Sequence, residues 1–204
     1  QMNPHFVFNA LNAIQNFIMK SDKEAGYLYL SKFARLIRMI LENSPKGTVS
    51  LEEELKMLTL YLEMESLRFD SRFVYELEVD PSLSQSVEEI PSMIIQPYVE
   101  NAIVHGLLNK MDGEKGRLEI SIARADQGIR CTITDNGVGR KRAEELKKKK
   151  LLTHRSVGIS NTRERLEILN LERPDKTEVK TQDLVDAHNE VIGTSVELVI
   201  PLAK

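Results

Sequence analysis

A chain of 204 residues, 41% hydrophobic and 29% charged, has the makeup of a globular protein with one or two ordinary cores. Its formal charge of −3 offers no basic footprint for nucleic acid, so no such partner is expected. The one cysteine, Cys131, has no partner for an internal disulfide and lies in an alternating apolar run, which reads as a packed core thiol in a reducing compartment.

The first seventy residues read as helix. Pro4 suits a first helical position, and Phe6, Ala10, Ala13, Ile14 and Phe17 recur at helical steps. Phe6 and Phe8 are both expected to point into a bundle. Ser21-Asp22-Lys23-Glu24 has capping-box spacing and restarts the helix through Phe33, Leu36, Ile37 and Ile40. Asn43-Ser44-Pro45-Lys46-Gly47 stops it, and Ser50-Leu51-Glu52-Glu53 is a second capping box. Leu51, Leu55, Leu58 and Leu62 then carry one apolar stripe to about Phe69. Amphipathic helices of this kind must bury their stripes, either against a second copy in a four-helix bundle or against the following domain.

From Phe73 the period changes, and Val74, Glu76, Leu77 and Val79 suggest a strand that turns at Asp80-Pro81-Ser82. Pro91 is read as opening a helix that runs to about Leu108. Leu118 to Ala125 and Ile129 to Thr134 alternate as an antiparallel pair around Asp126-Gln127-Gly128. Arg140 to Lys150 reads as a charged helix or lid, Gly158 to Leu171 as another helix, and Val196 to Ile200 as a last strand. The mixture predicts an α+β fold, with a boundary that gives a helical region over 1–71 and an α/β sandwich over 72–204. No run of about 18 uncharged apolar residues exists, the nearest, Ser92 to Met111, being broken by Glu100, His105 and Lys110.

Four motifs follow one another along this frame. They are Asn3-Pro4-His5-Phe6-Val7-Phe8-Asn9, Gln96-Pro97-Tyr98-Val99-Glu100-Asn101-Ala102, Asp135-Asn136-Gly137-Val138-Gly139 and Ser156-Val157-Gly158-Ile159-Ser160-Asn161. Their order resembles the LytS-like branch of bacterial sensor histidine kinases across nearly the whole chain. The resemblance implies a dimerisation and phosphoacceptor hairpin followed by an ATP-binding domain of the Bergerat (GHKL) type. It implies a homodimer, a response regulator as partner, and an upstream membrane sensor. The chain opens at Gln1 inside a motif, which reads as the cytoplasmic C-terminal part of a longer protein anchored in the bacterial inner membrane.

In that frame His5 is the phosphate acceptor, since a neutral imidazole nitrogen is nucleophilic near pH 7. Asn9 lies one helical turn on, within reach of the ring or the phosphoryl group. Asn101 corresponds to the asparagine that coordinates Mg²⁺ on the ATP phosphates, its amide oxygen being a hard ligand. Glu100 is placed to polarise a metal-bound water or act as a base, and His105 to reach the phosphates. Hydrolytic relatives carry a glutamate one turn before the asparagine, where Pro97 stands here, so transfer is favoured over hydrolysis.

Asp135 closes a strand, and a carboxylate there accepts the amino hydrogen of adenine, where guanine presents a carbonyl. Gly137 and Gly139 let backbone approach the nucleotide, and Gly158 with Asn161 starts a helix facing phosphate. Ser156 replaces the first glycine usual in relatives, and Lys147 to Lys150 lie where relatives have an ATP lid. The alternatives are an ATPase of the same superfamily without a phosphohistidine, and a nucleotide-binding signalling module without kinase activity. No metal-ligand spacing joins His154, His188 and Cys131, and no Walker or protein-kinase signature is present.

Overall fold

The computed structural model describes residues 4–43, 46–83, 88–110, 113–126, 128–151, 170 and 176–202. Helix α1 (Pro4–Met19) buries Phe6, Ala10, Ala13 and Phe17, which recur at four-, three- and four-residue steps. Phe8 falls off that stripe and is 65% exposed in the single chain. Ser21 closes α1 in the left-handed conformation (φ 57°), and the Asp22 N–H reaches back to the Phe17 carbonyl at 3.0 Å. The next helix is therefore capped one residue later than the Ser21 spacing suggests, by Asp22 Oδ1 accepting from the Ala25 N–H at 3.1 Å. Helix α2 (Lys23–Asn43) follows, with Tyr29, Leu36 and Ile40 buried.

Strand β1 (Thr48–Ser50) leads into α3 (Leu51–Arg68), whose Ser50–Glu53 capping box forms in both directions as the spacing predicts. Leu51, Leu58 and Leu62 are buried, and so are Met57, Tyr61 and Met64 outside the leucine stripe. The extra burial has a cause: α3 meets α1 through Phe6 and Tyr61 (ring centroids 6.0 Å apart) and reaches the backbone of Met93 through Glu54.

Strand β2 (Phe73–Val79) pairs in parallel with β4 (Gly116–Ala125), and β4 pairs antiparallel with β5 (Gly128–Asp135). The hairpin β6 (Glu178–Val185) and β7 (Val191–Pro201) completes a five-stranded sheet in the order β2-β4-β5-β7-β6. One face is apolar, with Leu118, Ile120, Ile122, Ile129, Cys131, Ile133, Leu198 and Ile200 buried, while Arg117, Glu119 and Arg130 face water. The architecture is α+β, and one continuous cluster of buried residues runs from Phe6 to Ile200.

Two elements differ from the sequence reading. Pro91 ends a short strand, β3 (Glu89–Pro91), antiparallel to β1, and helix begins only at Gln96. Ladder bonds from β1 hold the chain extended through Pro91, and Met93 then turns it at φ 56°. Strand β6 carries Thr181, Gln182 and Asp183 at its centre, which hides it from a hydrophobic scan. The helix expected from Gly158 to Leu171 lies outside the described residues, Asn170 excepted. Among the described residues no helix is long and apolar enough to cross a membrane.

Candidate functional site

Asp135 is the last residue of β5 and only 4% exposed, because the strand's inward alternation carries it to the sheet edge without releasing it to water. Its Oδ1 accepts from the Gly137 N–H at 2.8 Å, an Asx turn that fixes the carboxylate. Burial pushes its carboxyl up to about 6, helped by the charge of Asp183 and opposed by backbone donors at Gly137 and Thr194. Asn136 faces the other way and is a latch: Oδ1 accepts from the Arg117 N–H at 2.6 Å and Nδ2 donates to the Lys115 carbonyl at 3.3 Å.

The wall around Asp135 is made of backbone. A Cβ at Gly137 would lie 2.5 Å from the Gly106 carbonyl carbon and 2.6 Å from Asp135 Oδ1. A Cβ at Gly106 would lie 2.8 Å from the same oxygen. Gly106 ends a π-helical turn, Ala102–Gly106, that continues α4 (Gln96–Asn101) and passes into a 3₁₀ turn, Leu107–Asn109. The widened turn frees carbonyls, and Asn109 Nδ2 takes up those of Val104 (3.3 Å) and His105 (2.9 Å). Gly139 (φ 74°) opens α5 (Gly139–Leu151), and Arg140 anchors that helix to β6. The guanidinium and backbone N–H of Arg140 all reach the Asp183 carboxylate at 3.1 Å, which holds that carboxyl below its usual range.

The structure thus brings Asp135, Gly137 and Gly139 together with the helical run that carries Asn101 and His105. Asn101 is exposed and His105 half-buried. His5 lies on the backbone of α1's first turn, and Asn9, one turn on, is half-buried. Gly158 and Asn161 lie outside the described residues. Gly106, Asn136 and the Arg140–Asp183 fork are contributors that motif reading missed; a glycine inside a helical run was the available signal for the first.

The charge of Glu100 is felt by Tyr61 and Glu65 of α3. Glu65 is 1% exposed, and its Oε2 lies 2.7 Å from Arg68 in an ion pair that leaves both Glu65 Oε2 and Arg68 Nε without a hydrogen bond. Burial pushes the Glu65 carboxyl up to about 7, against the pull of Arg68 and with a further push from Glu100. A carboxyl raised on folding stabilises fully below its unfolded value, about 4.5, and that stability is lost as pH rises through about 7. The loss is roughly 3 kcal/mol. The urea midpoint of the wild type is therefore expected to fall between about pH 4.5 and 7.5, and Glu65→Gln to flatten that dependence. Equal slopes in the two proteins would exclude the assignment.

The family model described as "Histidine kinase" matches residues 1–73. The chain is similar to the sensor histidine kinase BtsS of Escherichia coli (strain K12), 39% identical over 138 residues, or 67% of this chain and 23% of that protein. It is similar to the sensor protein LytS of Oceanobacillus iheyensis, 34% identical over 139 residues, or 68% and 23%. LytS of Staphylococcus saprophyticus is 29% identical over 201 residues, covering 98% of this chain and 32% of its own length. The chain thus spans between 23% and 32% of the length of these curated relatives.

Proposed function

This chain belongs to the LytS-like sensor histidine kinases, and from that premise we propose that it moves the γ-phosphoryl group of ATP to His5 and then to an aspartate of a response regulator. The observation that carries this reading is the buried carboxylate of Asp135, held at a strand end inside a wall where Gly106 and Gly137 leave no room for a side chain. Such a wall fits a flat base, and the fixed carboxylate selects one with an amino group opposite it. We assign residues 1–71 to dimerisation and phosphate acceptance, and 72–204 to ATP binding.

Within this reading Asp135 accepts from the adenine amino group, and Gly137, Gly139, Gly158 and Asn161 let backbone close on the nucleotide. Asn101 would hold Mg²⁺ through its amide oxygen, and His105 would serve the phosphates. Mg²⁺, when bound, neutralises phosphate charge. Among the described residues no group of three His, Cys, Asp or Glu side chains converges on a point, so phosphate and water would have to supply such an ion's remaining ligands. A neutral ring nitrogen of His5 attacks phosphorus, the bond to the β-phosphate oxygen breaks, and ADP leaves as the ring sheds its other proton. Glu100, whose charge is felt at Tyr61 of α3, would take that proton.

Exposed apolar residues on α1 and α2, among them Phe8, Leu11, Ile18, Tyr27, Leu28 and Leu41, support a homodimer in which these helices pair. We further propose that the chain works in the cytoplasm beneath a membrane sensor. Incubation with γ-labelled ATP and Mg²⁺ is expected to give protein label that is acid-labile and base-stable. Phosphate release without protein label would instead make it an ATPase. Bound nucleotide with neither product would make it a signalling module without chemistry.

A further inference from the structure

Glu54 sits in the first turn of α3, where a carboxylate could face water beside its own helix N-terminus, yet it is 2% exposed. Its oxygens accept from two backbone donors 39 and 41 residues further along the chain: Oε2 from the Met93 N–H at 2.7 Å and Oε1 from the Ile95 N–H at 3.2 Å. Burial raises the thiol of Cys131 on the facing strand to about 12, and the charge of Glu54 adds to that rise. The carboxylate is therefore built into the core between α3, the sheet and the loop before α4.

The two donors have a particular place. Ile95 is the N-cap of α4, and an isoleucine has no oxygen with which to satisfy the free N–H groups of a helix start. Met93 holds a left-handed backbone (φ 56°), which a side-chain-bearing residue keeps only when its surroundings enforce it. Glu54 meets both needs from another helix. The end it caps leads six residues on to Asn101 and then into the π turn whose Gly106 walls Asp135.

We infer that Glu54 is a positioning residue that fastens the nucleotide-binding helix to the helical hairpin, so that a displacement of α3 is passed to Asn101 and to the wall around Asp135. The inference rests on the function proposed above. It adds that nucleotide affinity depends on a residue of the helical region that touches no nucleotide.

The test uses the full chain with ADP as ligand. Glu54→Gln keeps the shape but turns an amide N–H₂ toward a backbone donor. It is expected to speed amide hydrogen exchange at Met93 and Ile95, and to weaken ADP binding, each by about tenfold. Glu54→Asp keeps the charge but draws it back by one methylene; the same changes are expected at smaller size, and it serves if the glutamine variant does not fold. Leu58→Ala, a cavity one turn further along the same helix, controls for lost stability and should leave ADP affinity within about twofold. Wild-type exchange and affinity in the Glu54 variants would overturn the proposal, as would an equal loss of affinity in Leu58→Ala. If the wild type binds no ADP, the proposed function fails, while exchange at Met93 and Ile95 still decides whether Glu54 holds the loop.

Discussion

Asp135→Asn is expected to weaken ADP binding by about 100-fold and to erase the preference for adenine over guanine nucleotides. The carboxylate is buried, so whatever faces it must be satisfied there or left unpaired. An asparagine of the same shape turns an N–H₂ group toward either the Gly137 N–H, now 2.8 Å from Oδ1, or the adenine amino group. Both arrangements set donor against donor. Because burial lifts this carboxyl to about 6, wild-type affinity should also fall as pH drops through 6, where the acceptor gains a proton. Calorimetry from pH 8 to 5.5, with wild type and variant side by side, cancels the nucleotide's own titration. The same burial has a cost, since keeping the group ionised above pH 6 spends roughly 3 kcal/mol of folding stability. The variant should therefore be more stable than wild type at pH 7.5 while binding far less, the trade expected of a group kept for its chemistry. Wild-type affinity in the variant would remove Asp135 from the site.

What could be read in the residues divides along physical lines. Helices α1 to α3 declared themselves because their apolar periods run over three turns or more and the Ser50–Glu53 box fixes a start. Strands β4 and β5 were equally plain, since one wet face forces strict alternation, as in Leu118, Ile120 and Ile122. Strand β6 was not legible because its partner is a hairpin neighbour whose ladder, not its side chains, holds Thr181 and Gln182 in place. Pro91 misled for a related reason: proline suits both a helix start and a strand end, and only the distant pairing with Thr48 decides. In the candidate site, Asp135 and Gly137 stand in a motif that can be read locally. Gly106 and Glu54 act through space, on Asp135 and on the loop before α4, and no local spacing announces a contact of that kind. Phe8 lies off the stripe that the single chain buries, and periodicity does not say which neighbour covers such a face.

His5→Gln is expected to remove all acid-labile label from the protein, a loss limited only by detection, while ADP affinity stays within about twofold of wild type. Two features make that separation sharp. The amide nitrogen of glutamine has its lone pair delocalised and cannot attack phosphorus, so the substitution removes the nucleophile and keeps a polar side chain of modest size. Among the described residues, the wall around Asp135 is drawn from β5, the loop after it, the π turn and β7, none from α1. The helix itself should persist, because Phe6 fixes its start by packing on Phe33 and Tyr61, each with ring centroids 6.0 Å away. Asn9→Ala, which leaves the nucleophile but removes the polar group one turn on, should slow label formation by about tenfold without abolishing it. Circular dichroism and calorimetry with ADP check fold and binding, and the lability of the label reports its chemistry. A nitrogen–phosphorus bond breaks in acid and survives base, the reverse of a phosphoserine ester. Label that persists on His5→Gln with the same lability would move the acceptor to another histidine, His105, His154 or His188. Loss of label together with loss of ADP binding would mean that α1 supports the nucleotide site, and that the two regions cannot be separated as the mechanism requires.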